Sequence, residues 1–284
     1  GVATPPKPLF ALAIKAAKRS DDVKLPEHLK KLIEEDPALS AEFDEMSGSQ
    51  VLSGQGEMHL RLCLEKLKSR AGMDVETTEP TVAYRETIKN PVEKRYRHKK
   101  QSGGHGEFGE VSIRIAPKAR GEGFEFREEI HGGSVPKQYF SAIETGVQDA
   151  LSKGQLGYPV VDLEVVLLDG KTHSVDSSEM AFRKAGAQAM RDALSEAGKV
   201  MLEPINQVVI HTPEQFISGV QKIVTGRRGQ ILGFVPRDGW PGWDEVSCQI
   251  PAAEMQDMIN ELRSATMGVA SFEAEFDHLQ EHQD

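Results

Sequence analysis

QVLSGQGEMHLRLCLEKLKSRAGMDVET, residues 50–77, carries the pattern from which the fold follows. Gln50–Ser53 reads as a strand, and Gly54 and Gly56 break it. A helix is predicted over Glu57–Ala71 because Leu60, Leu64 and Leu67 fall on one face, with Gly72 as its stop. Met73–Thr77 then reads as a closing strand. On the N-terminal side, Leu39–Glu45 pairs with Gln50–Ser53 as a hairpin around Ser47-Gly48-Ser49. Before it lies a helix over Leu25–Glu35, with Leu25, Leu29, Leu32 and Ile33 at helical spacing and Pro26 near its start, where a missing N–H is harmless. Leu9–Ile14 supplies the first strand. The order is βαββαβ, that of a ferredoxin-like sandwich.

The C-terminal segment gives the same order without a sequence repeat. Asn206–His211 is a strand, and Thr212 followed by Pro213 reads as a helix start. Phe216, Ile217, Val220, Ile223 and Val224 form that helix's apolar stripe. Gln230–Val235 and Glu245–Ile250 are strands, Ala252–Thr266 a second helix, and Val269–Phe276 an alternating strand. Between the two modules, strands are predicted at Val82–Glu86, Glu107–Ala116, Phe124–Ile130 and Tyr158–Leu168. Helices are predicted from Pro136 to Leu151 and, capped by Ser177, to Ala197. The expectation is an α+β protein: two ferredoxin-like βαββαβ domains, 1–77 and 203–284, flanking an α/β domain over 78–202.

The 284 residues carry a net charge of −10, so any polyanion must be met by a local patch rather than by bulk charge. The patch is Lys94–Val111, KRYRHKKQSGGHGEFGEV, in which seven residues hold five Lys or Arg and a His before a glycine cluster. Glycines let backbone N–H groups approach phosphates, and Tyr96, His98 and His105 can stack on unpaired bases. The two cysteines, Cys63 and Cys248, are too far apart in sequence for zinc-site spacing and point to a reducing compartment. No apolar run approaches the length needed to span a bilayer, and no signal peptide is evident. The chain opens on Gly1 and the Pro-rich run TPPKP, which reads as part of a longer protein.

Several motifs imitate catalytic sites. Gly104-His105-Gly106-Glu107-Phe108-Gly109-Glu110-Val111 fits the kinase glycine loop, which would make a nucleotide-binding phosphotransferase, but neither H-R-D nor D-F-G is present. Gly170-Lys171-Thr172 resembles the end of a P-loop but lacks the leading glycine, since Val165 stands there. His173, Asp176, Ser177 and Ser178 suggest a hydrolase triad, yet triads assemble from distant segments and helix capping explains these residues. Arg227-Arg228-Gly229, between a helix and a strand, is either a phosphate contact or a complement to the helix dipole. Trp240 and Trp243 lie in a Gly/Pro-rich loop suited to packing or docking.

Longer stretches carry a family resemblance. Gln101–Gly109, Gly157–Asp162 and Val175–Phe182 resemble the fourth domain of bacterial elongation factor G. Gly54–Leu60 and Pro80–Thr87 are similar to its third domain and the junction beyond, and Leu202–Ile205 and Arg227–Gly229 to its fifth. The resemblance implies two ferredoxin-like domains around an elongated, ribosomal-protein-like α/β domain with two loops meeting at a tip. Those loops correspond to Ser102–Gly106 and Thr172–Ser177, with His173 matching a tip histidine. It further implies a monomeric, cytoplasmic, ribosome-binding part of a translational GTPase that promotes tRNA and mRNA translocation, with a paralogue acting in recycling or ribosome protection as the alternative. The expected contacts with ribosomal RNA and protein, tRNA and mRNA are Lys99, Lys100, Ser102, Gly103, Gly104, His105, Gly106, His173, Asp176, Arg227 and Arg228. No catalytic residue, metal or cofactor is expected within these residues; GTP and Mg belong to an N-terminal domain. The chain departs from the family pattern at His105, where Arg is common, at Gly226, in the Arg237–Trp243 loop, and after Asp277–Gln280, where a C-terminal helix is expected to be missing or shortened.

Overall fold

A computed structural model describes residues 3–283, with the side chain of Ser102 outside the described residues. In chain order the elements are β1 (Phe10–Ala16), α1 (Leu25–Glu35), β2 (Ser40–Asp44), β3 (Ser49–Gly54), α2 (Glu57–Ala71) and β4 (Val75–Thr78). There follow β5 (Arg85–Thr87), β6 (Val92–Ser102), β7 (His105–Pro117), β8 (Phe124–Glu128), α3 (Phe140–Leu151), β9 (Leu163–Lys171) and α4 (Glu179–Glu196). The chain ends with β10 (Val200–Pro213), α5 (Ile217–Gly226), β11 (Gln230–Pro236), β12 (Trp243–Pro251), α6 (Met258–Ala265) and β13 (Ser271–Glu281). These elements fall into two compact units: Gly1–Val82 with Pro204–Asp277, and Ala83–Glu203 with His278–Asp284.

The first unit contains both βαββαβ modules. Their sheets have matching orders, β2-β3-β1-β4 and β11-β12-β10-β13, as the ferredoxin-like reading requires. Leu60 and Leu67 of α2 and Leu29 and Leu32 of α1 are buried against Ile14 and Leu52, which lie on the strands. In the other module Val220 and Val224 meet Val208, Ile210, Val246 and Ile250. Buried residues of the two modules join one apolar cluster, and the Arg263 Nη2 group donates to the Gln55 carbonyl at 2.9 Å. The α1 and α2 boundaries are those the leucine spacing predicts.

The second unit is a sheet of order β6-β7-β9-β8, in which β6, β7 and β9 are antiparallel and β8 runs parallel to β9. The β8–α3–β9 crossover is the long connection that a parallel pair needs. Helices α3 and α4 pack on each other and cover Val111, Ile113, Ile115, Val165 and Leu167. Two acids hold its turns. Glu86, almost fully buried, accepts from the Leu156 and Tyr158 amides at 2.9 and 3.1 Å. Asp162, at φ 58°, accepts from Arg120 and from the Gly121 and Gly123 amides.

Several expected helix starts move. Pro136 and Pro213 do not open α-helices: with ψ near 140° they lie outside the helical region and lead into short 3₁₀ turns, after which α3 and α5 begin. Pro251 leads into Ala252–Glu254 in the same way. Thr212 is not a cap; it is wholly buried in β10 opposite Asp244. The predicted helix Ala252–Thr266 is broken at Asp257, whose φ is 60°. The predicted strand over Tyr158–Leu168 starts later, at Leu163, because Asp162 occupies the left-handed region. The alternation of the last strand does not translate into alternate burial: Phe272 is buried while Phe276 is 61% exposed. Residues 278–281 continue β13.

Candidate nucleic-acid interface

β6 and β7 form one long hairpin, paired from Val92↔Ile115 to Ser102↔His105. Its turn is the pair Gly103-Gly104, with φ 59° and 106°. A two-residue hairpin loop with positive φ at both central positions calls for glycine, so these residues end the hairpin with almost no side-chain bulk. His105 is exposed beside this turn.

The loop between β9 and α4 packs against the hairpin. The Phe108 amide donates to the Asp176 carbonyl at 2.9 Å, and the Ser177 hydroxyl donates to the Phe108 carbonyl at 2.9 Å. Both backbone groups of Phe108 are therefore satisfied by the second loop. Within that loop the Val175 and Asp176 amides donate to His173 Nδ1 at 3.2 and 3.1 Å, which places the proton of the neutral imidazole on Nε2. The His173 amide donates to the Ser177 hydroxyl at 2.8 Å. The His173 side chain is half exposed, and its ring lies 6.0 Å from that of Phe108.

These bonds dispose of the catalytic look-alikes. Ser177 Oγ is committed to two backbone groups and is not aimed at the imidazole as a nucleophile would be. Nor does Ser177 cap α4; Ser178 does, with extended backbone and an oxygen accepting from the Ala181 amide at 3.1 Å. Of the kinase-like glycines, Gly104 serves the turn, and Gly106 and Gly109 serve close packing. A Cβ at Gly106 would sit 2.6 Å from the Asp176 carboxylate, and one at Gly109 would sit 3.2 Å from the backbone of Ala181 and Phe182. Gly170 abuts Val135 and the Glu110 carbonyl. Gly106→Ala is expected to cost only about 1 kcal/mol, because the Asp176 side chain can swing aside. It should nonetheless shift the His173 imidazole resonances in NMR while leaving the spectrum of the helices unchanged.

The charge of Lys94–Lys100 is largely used internally. Arg95 and Arg97 converge on Glu110, whose side chain is 5% exposed, at 2.5 and 2.6 Å. Arg95 also reaches Asp169 at 3.1 Å. Lys94 pairs with Glu196, and His98 meets Glu107 at 2.7 Å. Burial pushes the Glu110 carboxyl up, but Arg97 and Arg95 outweigh it, and the group lies below the usual glutamate range. Among the described residues Lys99 and Lys100 have no carboxylate partner, and both are exposed next to the glycine turn. Net positive charge therefore collects at the end of the hairpin rather than along it.

Of the expected contact residues, the structure brings together Gly103, Gly104, His105, Gly106, His173 and Asp176, with Lys99 and Lys100 alongside; Ser102 is placed by its backbone alone. Arg227 and Arg228 belong to the other compact unit. Arg227 is turned inward: Nη1 donates to the Glu254 and Gln256 carbonyls at 2.6 and 2.7 Å, fastening the chain ahead of Asp257. Arg228, at φ 55°, donates to Glu254 at 3.1 Å. In the Arg237–Trp243 loop the Arg237 guanidinium stacks 4.0 Å from the Trp240 ring. Sequence reasoning missed Phe108 and Ser177 as the fastening between the loops. Their roles lie in backbone bonds, and the only signal was the adjacency of both loops to strands of one sheet.

Three family models match the chain: elongation factor G domain III over residues 5–79, domain IV over 80–198, and the elongation factor G C-terminus over 200–284. An elongation factor G-like protein of Synechocystis sp. is 48% identical over 277 residues, which cover 98% of this chain and 41% of that protein. A crystal structure of a Thermus thermophilus protein superposes with a TM-score of 0.87 at 37% identity, covering 99% of this chain and 42% of that one. The chain spans about two fifths of the length of these relatives.

Proposed function

Because the chain belongs to the elongation factor G family, we propose that it is the ribosome-engaging part of a translation factor. In this reading the two-loop end of the second unit enters the small-subunit decoding region and contacts RNA while tRNA and mRNA translocate. Lys99 and Lys100 supply phosphate contacts. Gly103 and Gly104 let the turn approach closely, and the faces of His105 and His173 stack or hydrogen-bond to exposed bases. The observation that carries it is the position of these two lysines, without a carboxylate partner among the described residues, beside a turn that the His173 loop braces.

The role is one of positioning, with no bond made or broken here. GTP and Mg are assigned to an N-terminal domain of the longer protein, whose hydrolysis would time the movement. The factor acts as a monomer in the cytoplasm. The described helices include none long and apolar enough to cross a membrane. Arg227 and Arg228 contribute to ribosome contact through the shape of the loop they hold, with Arg228 as the more exposed of the two.

The test is equilibrium binding of the chain to small ribosomal subunits across a salt series. Each phosphate contact contributes about 0.7–0.9 to the slope of log K against log salt, so Lys99→Ala/Lys100→Ala should flatten the slope by about 1.4–1.8. An unchanged slope would remove the lysines from the interface.

A further inference from the structure

Between α1 and α2 lies a cavity of about 260 Å³. Positions 28, 31, 32 and 35 of α1 form one wall, the i, i+3, i+4, i+7 stripe of a single helix face. Positions 66, 67, 70 and 71 of α2 form the other. Leu32, Leu67 and Ala71 make an apolar lining. Lys31, Lys66 and Arg70 stand exposed around it.

The electrostatics of this groove reverse those of the whole chain. Glu35, the acid in the lining, is bound by Arg70 at 2.9 and 2.7 Å, and Arg70 holds its carboxyl below the usual range. The neighbouring Asp36 is engaged by His59 at 2.6 Å. Both carboxylates are thus held, with Lys66 acting on them from nearby, and among the described residues neither Lys31 nor Lys66 has an ion-pair partner within 4 Å. The lining thus holds three cations, Lys31, Lys66 and Arg70, to one carboxylate, Glu35, a net positive rim around an apolar floor that favours an anionic partner.

We propose that this groove docks an acidic segment of a partner protein, placing a bulky apolar side chain between α1 and α2 and two flanking carboxylates against Lys31 and Lys66. The lining favours a peptide over a nucleic acid, since its floor is aliphatic and no Phe, Tyr or Trp there offers a base a stacking platform. The recognition mode is an apolar anchor in a pocket with a charged rim. It is separate from the RNA contact assigned to the other unit, and uses different lysines.

The test uses the full chain and fluorescence anisotropy. The probe is a labelled synthetic peptide with a Phe anchor flanked by Glu at one-turn spacings. Its charge-reversed version, with Lys for Glu, and an oligouridylate serve as comparisons. The acidic peptide should bind, and Lys31→Glu/Lys66→Glu should weaken it by about tenfold or more. Far-UV circular dichroism should be unchanged because both lysines are exposed. Ala71→Leu, which fills the slot without altering charge, should weaken it too. Lys99→Ala/Lys100→Ala should leave it intact, keeping this result distinct from that of the RNA contact. Absence of binding by the acidic peptide, equal binding by the charge-reversed one, or indifference to the double charge reversal would overturn the proposal. Oligouridylate displacing the peptide and itself losing affinity on charge reversal would assign the groove to nucleic acid instead.

Discussion

Gly146→Leu is expected to prevent the unit containing α3 and α4 from folding. These helices approach so closely that a Cβ at Gly146 would overlap the Arg183 carbonyl and lie 3.0 Å from the Ala187 amide. A Cβ at Gly186 would lie 2.8 Å from the Ile143 carbonyl. The obstacles are backbone atoms, which cannot rotate away as a side chain can. Relief requires the helices to separate, and that would open the packing of Ile143, Val147, Phe182 and Met190, each of which is wholly buried. The cost exceeds about 4 kcal/mol, the range reserved for severe overpacking and lost core contact. Urea unfolding should show this unit's transition lost or moved to low denaturant. Gly226→Ala, at a position with nothing within 4 Å, should leave the transition in place. A parent-like midpoint for Gly146→Leu would contradict the described helix contact.

Glu110→Gln is expected to destabilise the same unit by about 2–3 kcal/mol at neutral pH. Removing one partner from a buried ion pair costs about 3–5 kcal/mol, and the figure is reduced here because Arg95 and Arg97 are 42% and 54% exposed and can regain water. The effect should depend on pH with a definite sign. Glu110 titrates below the ordinary glutamate range in the folded state, so its stabilisation is complete above the unfolded value. It is lost as pH falls through the folded value. The difference in melting temperature between the parent and Glu110→Gln should therefore be largest near neutrality and shrink in acid, below about pH 4. A difference independent of pH would mean that the carboxylate charge is not what holds the two arginines.

These two residues show what was legible in the sequence. The leucine spacing of α1 and α2 defined a βαββαβ module because periodicity is local, and one buried face per helix is enough to reveal it. Gly146 sits inside a helical pattern, where glycine reads only as a weak former; its reason is a second helix some forty residues later, which no local window contains. The prolines misled for another reason. Pro136 and Pro213 mark the approach to a helix correctly, but whether proline is the first helical residue or the residue before a 3₁₀ turn depends on ψ, which composition does not set.

The candidate site was legible in its parts and overestimated in its charge. The glycine pair and His173 were found from sequence, and the structure brings their loops together through Phe108. Lys94–Lys100 reads in sequence as one basic patch, whereas cross-strand and helix carboxylates at Glu107, Glu110, Asp169 and Glu196 neutralise most of it. Those partners stand 9 to 102 positions away in sequence, and only the sheet brings them close. What remains, Lys99 and Lys100, is smaller but better placed.

Whether the two-loop end meets ribosomal RNA can be decided by tethered cleavage from His105→Cys. Cys63 and Cys248 are buried; burial raises both thiols, that of Cys248 to about 12, so an introduced exposed thiol is the one a reagent labels. An iron chelate attached there and activated on the ribosome-bound factor should cut small-subunit RNA at a few neighbouring positions around the decoding region. The same chelate at Lys153→Cys should not reproduce that pattern. Diffuse cleavage, or one pattern from both positions, would place the two-loop end away from the decoding region and contradict the proposed contact.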